Sequence, residues 1–167
     1  MLDELVSVVI PTFNREALLR RAIESVLCQT HRAVEVLVVD DGSTDGTAVM
    51  MAATYAADAR VRYLPQQNAG VAVARNRGLA AATGDYLALL DSDDYWYPWK
   101  LELQLRCLRR VQGAGMIWSD MDAIGEDARP VQARYLRTMY SAYRQFTAEQ
   151  TASPATGARC GKSRRPQ

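Results

Sequence analysis

Apolar positions along the chain follow two alternating patterns. Val6 to Ile10 is a short, charge-free run rich in β-branched residues, which reads as a buried strand. Leu18, Leu19, Ala22, Ile23, Val26 and Leu27 then recur at helical spacing with polar residues between them. Val34 to Val39 is the second strand. Thr47 to Ala57 is a helix that Ser43, Thr44 or Asp45 is placed to cap. Val61 to Leu64 is a shorter third strand, and the alanine-rich Gly70 to Ala82 fits a helix ended near Gly84. Tyr86 to Leu90 is the fourth strand. Pro98 suits the first turn of a helix with Leu101, Leu105 and Leu108 on one face, and Gly115 to Ser119 completes the order as a fifth strand.

Strands separated by helix-length segments imply right-handed crossovers. The expected fold class is therefore α/β, with a mostly parallel, doubly wound central sheet and helices on both faces. Ligands of such sheets bind beyond the carboxyl ends of the strands. That rule directs attention to Pro11 to Asn14, Asp40 to Asp45 and Asp91 to Asp94. Two of these three loops are dense in carboxylates.

The loop Asp91-Ser92-Asp93-Asp94 places three carboxylates in four residues, which repel one another unless a cation sits among them. A hard divalent ion such as Mn²⁺ or Mg²⁺ suits oxygen donors of this kind, taking one or two carboxylates from protein and the rest from phosphates and water. A metal-bridged diphosphate is then the natural ligand. An acidic loop capping the next helix through Asp94 is the other reading. Asp40 and Asp41, in the loop Asp40-Asp41-Gly42-Ser43-Thr44-Asp45-Gly46, are placed to hydrogen-bond a ribose hydroxyl or a base N–H, or to shape a turn and helix cap. Arg75 and Arg77 interrupt a small, apolar helix and are either surface charges or partners for a diphosphate and the aspartates. Neither GxGxxG nor GxxxxGK[ST] occurs, so hydride transfer and ATP hydrolysis lack motif support.

Four segments together carry a family resemblance: Ser7-Val8-Val9-Ile10-Pro11-Thr12-Phe13-Asn14-Arg15; Val38-Val39-Asp40-Asp41-Gly42-Ser43-Thr44-Asp45; Gly70 through Ala74-Arg75-Asn76; and Gly84-Asp85-Tyr86 running to Leu90-Asp91-Ser92-Asp93-Asp94. In this order and spacing the chain resembles the nucleotide-sugar glycosyltransferases of family 2, with the Rossmann-like GT-A fold, over residues 5 to 122. The resemblance implies that Pro11 and Thr12 lie against the nucleotide base, and that Asp41, with Asp40 beside it, contacts a uracil-like base or the ribose. Arg75 and Ser92 would help hold the donor. Asp91 and Asp93 would form the DxD motif, with Asp93 the direct ligand of Mn²⁺ or Mg²⁺ and Asp91 nearer the ribose as well as the metal. Asp120, in Trp118-Ser119-Asp120, would line the sugar or acceptor pocket. The implied reaction is displacement at the anomeric carbon with inversion, in which the metal stabilises the departing nucleotide diphosphate. The donor would be a UDP-type nucleotide sugar, and the acceptor is unassigned.

Inversion also needs a general base on the acceptor side. Beyond Asp122 the acids are Glu126, Asp127 and Glu149; the first two read as a solvated loop and the third lies in a tail, so no base is assigned. A non-catalytic nucleotide-sugar-binding fragment is therefore one alternative, and a sugar nucleotidyltransferase on a similar sheet another.

Composition refines this picture. With 167 residues and 49% hydrophobic positions, the chain is about one domain's worth of polypeptide, which excludes a mini-protein. Lys and Arg number 20 against 19 Asp and Glu, giving no reason to propose nucleic acid or an anionic membrane as the main partner. The charge is uneven: Thr147 to Gln167 holds four basic residues and one acid, with no Val, Ile, Leu, Met or aromatic side chain. Such a stretch cannot bury enough apolar surface to order itself. The expected organisation is a transferase domain over 1–146, truncated on the acceptor side, followed by a disordered or out-of-frame tail over 147–167. Cys28, Cys107 and Cys160 show no metal or disulfide spacing, which suggests a reducing compartment. No apolar run approaches the roughly 20 residues that span a bilayer, and Met1 to Pro11 lacks a signal-peptide pattern. A cytoplasmic location is expected, with peripheral contact at the inner membrane face left open. His31 reads as a surface residue, and Tyr95, Trp96, Tyr97 and Trp99 as either a sugar-stacking surface or an apolar plug at a helix start.

Overall fold

Residues 4–125 and 129–139 are described by the structure, a computed structural model. The elements run β1 (Val6–Thr12), α1 (Glu16–Leu27), β2 (Val34–Asp40), α2 (Thr47–Thr54), β3 (Val61–Pro65), α3 (Val71–Ala81), β4 (Tyr86–Leu89), α4 (Lys100–Leu108), β5 (Ala123–Ile124), β6 (Pro130–Gln132) and α5 (Tyr135–Met139). Within α4 the chain divides into two compact units, residues 1–103 and 104–167.

The first unit is built on a four-stranded sheet in the order β3-β2-β1-β4. All three pairings are parallel, as expected from the βα alternation. β1 and β2 are buried along their whole length because they are central and covered on both faces. That is why they read as continuous apolar runs. The strand order reverses direction after β3, so right-handed crossovers put α1 and α2 on one face and α3 on the other. On the α3 face, Val9, Leu37, Val39 and Ala74 form a fully buried cluster. Gly78 lets α3 approach this closely: a Cβ there would lie 2.3 Å from Val9 Cγ1.

The opposite end of the sheet from the strand exits holds a buried acid that the hydrophobic pattern did not reveal. Glu35, at the start of β2, is 8% exposed. It accepts hydrogen bonds from Ser7 Oγ (2.5 Å), the Thr83 amide (2.7 Å) and the Thr83 hydroxyl (2.8 Å), and it pairs with Arg62 at 3.2 Å. Burial opposes its ionisation, but these donors outweigh burial and hold the carboxyl below the usual glutamate range.

Two features of the second unit differ from expectation. Residues 115–119 form no strand: no described residue supplies a hydrogen-bonded ladder to them, and strand propensity without a partner edge does not make a strand. Instead β5 and β6 make a short antiparallel pair. Glu126 and Asp127 lie outside the described residues, as do Glu149, Cys160 and the whole expected tail over 147–167.

Two stability measurements follow from this packing. Gly78→Ala is expected to cost about 2 kcal/mol by forcing a methyl into Val9, read as a lowered midpoint in urea. Glu35→Gln is expected to cost about 2 kcal/mol near neutral pH. Because the folded pKa of Glu35 is depressed, its contribution is complete above about pH 4.3 and is lost as the pH falls further through the folded value. The acid limb of a pH–Tm profile should accordingly be shallower in Glu35→Gln than in the parent.

Candidate functional site

Loops leaving the carboxyl ends of the strands are stitched together by side chains. The Asp41 amide donates to Thr12 O (2.9 Å), joining the exits of β1 and β2. Asn14, held at φ 51°, receives the Thr44 amide on Oδ1 at 2.7 Å, and its own amide donates to Ser43 Oγ at 2.9 Å. Asp and Asn tolerate such left-handed geometry better than most residues, which accounts for asparagine here.

Asp40 and Asp41 are both buried, and their carboxylates are engaged by the protein. Asp40 accepts the Ser43 amide on one oxygen at 2.9 Å and the Tyr63 hydroxyl on the other. Burial and this bond push the Tyr63 phenol well above its ordinary range. Asp41 accepts Gln66 Nε2 (2.7 Å) and the Ala69 amide (2.8 Å) on Oδ1, and the Gly70 amide (2.8 Å) on Oδ2. Burial opposes the charge on Asp41, but the three donors prevail and keep the carboxyl below the usual aspartate range. Gly70 sits at φ 91°, a conformation that favours glycine, and leads directly into α3. Asp41 thus fixes where α3 begins, and with it Arg75.

Arg75 Nη2 donates to Asp91 Oδ1 at 2.6 Å, one of the alternatives left open for it, whereas Arg77 donates to the Pro65 carbonyl at 2.8 Å. Arg15 Nη1 meets Asp93 Oδ2 at 2.5 Å, and Arg21 Nη2 donates to the Asp93 carbonyl at 2.9 Å. Arginines thus stand among these carboxylates. Asp94 does not cap α4, which starts at Lys100; its amide instead closes a tight turn onto Asp91 O at 3.0 Å. Burial raises the Asp94 carboxyl pKa, and the negative charges of Asp93 and Asp91 raise it further against a smaller opposing effect of Arg21. Both DxD ion pairs are half-exposed, with 47% exposure on each side of Arg15–Asp93, so each is worth about 1 kcal/mol or less and exchanges readily.

Two further observations bear on what this edge could hold. Thr12 Oγ1, Arg21 Nε, Thr47 Oγ1 and Arg75 Nε are buried without a hydrogen-bond partner among the described residues; orphan polar atoms of this kind call for a ligand or water, and those of Thr12 and Arg75 lie on residues singled out at this edge. Pro11 and Ser92 are buried at the same strand exits, while Asp91 and Asp93 are exposed. Two exposed carboxylates with oxygen donors fit a hard divalent cation that takes its remaining ligands from phosphates and water. Among the described residues, no cluster of three or more His, Cys, Asp or Glu forms a cation cage from protein alone.

The segment after Asp94 is anchored by a residue that sequence reasoning missed. Gln29 is fully buried; its Nε2 donates to Ser25 O (3.0 Å) and Tyr97 O (2.8 Å), and its Oε1 accepts the Leu101 amide (3.0 Å). Only tertiary contact gives this glutamine its role, so no local pattern announced it. The aromatic run packs partly on itself and partly against cations. Lys100 lies 4.2 Å above the Trp96 ring, with its pKa pushed down to about 8 by burial, while Tyr97 and Trp99 stack at 5.2 Å with half-exposed rings. His31 contacts the Glu4 carbonyl at 2.9 Å.

In the second unit, Asp120 Oδ1 accepts the Met121 amide (2.9 Å) and the Leu136 amide (3.0 Å), the latter in the first turn of α5. Its carboxylate is thereby tied to local structure.

Comparison with known proteins agrees with the fold. The sequence profile of glycosyl transferase family 2 matches residues 7–164, and the chain belongs to that family. Its fold is the GT-A fold. S. aureus TarS 1–349, solved in complex with UDP, aligns with a TM-score of 0.58 at 25% identity over 75% of this chain and 43% of that one. The mannosyltransferase PcManGT from Pyrobaculum calidifontis, in complex with GDP-Man and Mn²⁺, aligns with a TM-score of 0.52 at 30% identity over 57% of this chain and 29% of that one. An uncharacterised glycosyltransferase of Rickettsia felis is 48% identical over 104 residues, which is 62% of this chain but 17% of that protein. The chain thus spans under a fifth of that relative's length. No helix among the described residues is long and apolar enough to cross a membrane.

Gln29→Ala should lower stability by about 2 kcal/mol by leaving the buried Leu101 amide without its acceptor and removing one of the two donors to the Tyr97 carbonyl, which keeps the Lys100 amide. Hydrogen exchange of the Leu101 amide, which would lose its acceptor, should accelerate in step.

Proposed function

We propose that the chain forms the donor-binding part of a glycosyltransferase that moves a sugar from a UDP-type nucleotide sugar to an acceptor hydroxyl, with inversion and with a divalent metal. The observation that carries this reading is the convergence of Asp91, Asp93, Arg15 and Arg75 at the carboxyl edge of a parallel sheet, beside the orphaned Thr12 Oγ1 and Arg75 Nε. The TarS complex with UDP supports the choice of nucleotide, and the mannosyltransferase complex with Mn²⁺ supports the metal.

In this reading Pro11, Thr12, Asp40 and Asp41 present the base and ribose subsite. Asp40 and Asp41 act chiefly by holding its walls, since their carboxylates are engaged by Tyr63, Ser43, Gln66 and the start of α3. Arg75 orients the diphosphate, and Ser92 with Asp91 closes the ribose side. Asp93, with Asp91, would hold Mn²⁺ or Mg²⁺, which when bound supplies positive charge to a departing nucleotide diphosphate. Asp120 belongs to the proposed sugar or acceptor side. The general base and the acceptor are unassigned, so donor binding and transfer are separate claims. The reading also takes residues 1–146 as the transferase domain and 147–167 as a tail outside it, and sets the protein on the cytoplasmic side with peripheral membrane contact.

Titration calorimetry with UDP, with and without Mn²⁺, tests donor binding. Mn²⁺-dependent binding in the parent and at least about a tenfold loss in Asp93→Ala are expected; metal-independent binding unchanged by Asp93→Ala would sink the reading. Donor hydrolysis and sugar transfer assays then separate an enzyme from a binding fragment: binding without turnover favours the fragment.

A further inference from the structure

We infer that Arg15 is an exchangeable counter-ion that occupies Asp93 in the donor-free protein and passes to the diphosphate when donor binds. The inference rests on the donor-site reading of Asp93 and adds to it a residue with two alternating partners. Arg15 is the residue just before α1, and its backbone there makes no side-chain cap of the helix, so its guanidinium is not needed for helix initiation. That guanidinium is spent instead on Asp93 Oδ2 at 2.5 Å, with both side chains 47% exposed.

The charge arrangement around this pair explains why it forms and why it would break. Asp91, Asp93 and Asp94 stand together; Arg75 neutralises Asp91, and Arg21 bonds the Asp93 carbonyl rather than its carboxylate. Arg15 is therefore the counter-charge on the Asp93 carboxylate among the described residues, and without it the three acids would repel one another. A divalent cation on Asp93 would compete for the same oxygen and repel the guanidinium at a few ångström. A diphosphate beside that cation offers the oxygen pair that a guanidinium fork binds best. Arg15 would thus weaken metal binding by the free protein while strengthening binding of the metal with its nucleotide, so that the two load together.

The experiment measures Mn²⁺ binding without nucleotide by EPR titration and UDP binding at saturating Mn²⁺ by calorimetry, in the parent, Arg15→Ala, Arg15→Lys, Arg20→Ala and Asp93→Ala. Thermal melts confirm that each variant is folded. Arg15→Ala should bind Mn²⁺ alone about threefold more tightly and UDP with Mn²⁺ about tenfold more weakly. Arg15→Lys, which keeps the charge but loses the fork, should fall between the parent and Arg15→Ala on UDP, and Arg20→Ala, within α1 and bonded to Thr54, should match the parent. Mn²⁺ affinity that is unchanged or weaker in Arg15→Ala overturns the exchange, as does undiminished UDP binding. If Asp93→Ala retains full metal-dependent UDP binding, the underlying donor-site reading fails as well, so the two failures are distinguishable.

Discussion

The buried carboxylate of Asp41 is the interaction on which the carboxyl edge of this sheet depends. Taking an ionised group out of water is costly, and the cost is met here by three donors that all come from the segment just before α3. Because those donors are the Gln66 side chain and two consecutive backbone amides, the bond geometry dictates the path of residues 66–70. The path in turn sets the first turn of α3, one turn before Arg75. A side chain that looks in sequence like a ligand contact is thus first of all the element that places another contact.

Charge is handled differently at the two ends of the sheet. At the entry end Glu35 is saturated by Ser7, Thr83 and Arg62 inside the fold, a closed arrangement that contributes to stability. At the exit end Asp91 and Asp93 each spend one oxygen on a half-exposed arginine, and polar atoms of Thr12 and Arg75 have no partner among the described residues. The first arrangement has nothing left to bind. The second holds its charges in half-exposed pairs, which contribute little to stability.

Much of the carboxyl edge of the sheet was legible before any tertiary structure, because βα alternation with acidic and small residues at strand ends is a local signal. β1 and β2 read clearly since burial on both faces leaves an uninterrupted apolar run. The expected fifth strand at 115–119 did not form because a strand needs a hydrogen-bonded neighbour, which five residues of pattern cannot specify. Arg15 stood in plain view within the Thr12-Phe13-Asn14-Arg15 segment yet drew no role, since its partner Asp93 is 78 residues away. Gln29 was invisible for the same reason: its acceptors and donor include residues 68 and 72 positions onward.

Sequence by itself determined the strand and helix alternation, the family, and the residue types at the strand exits, all of which are written in short-range periodicity and motif spacing. Tertiary structure alone decided how those charges are distributed: which aspartates are locked into loops, which are paired with arginine, and which polar atoms are left without partners. The physical reason is that hydrophobic pattern acts along the chain, whereas the state of a carboxylate depends on donors and burial brought from distant segments by folding.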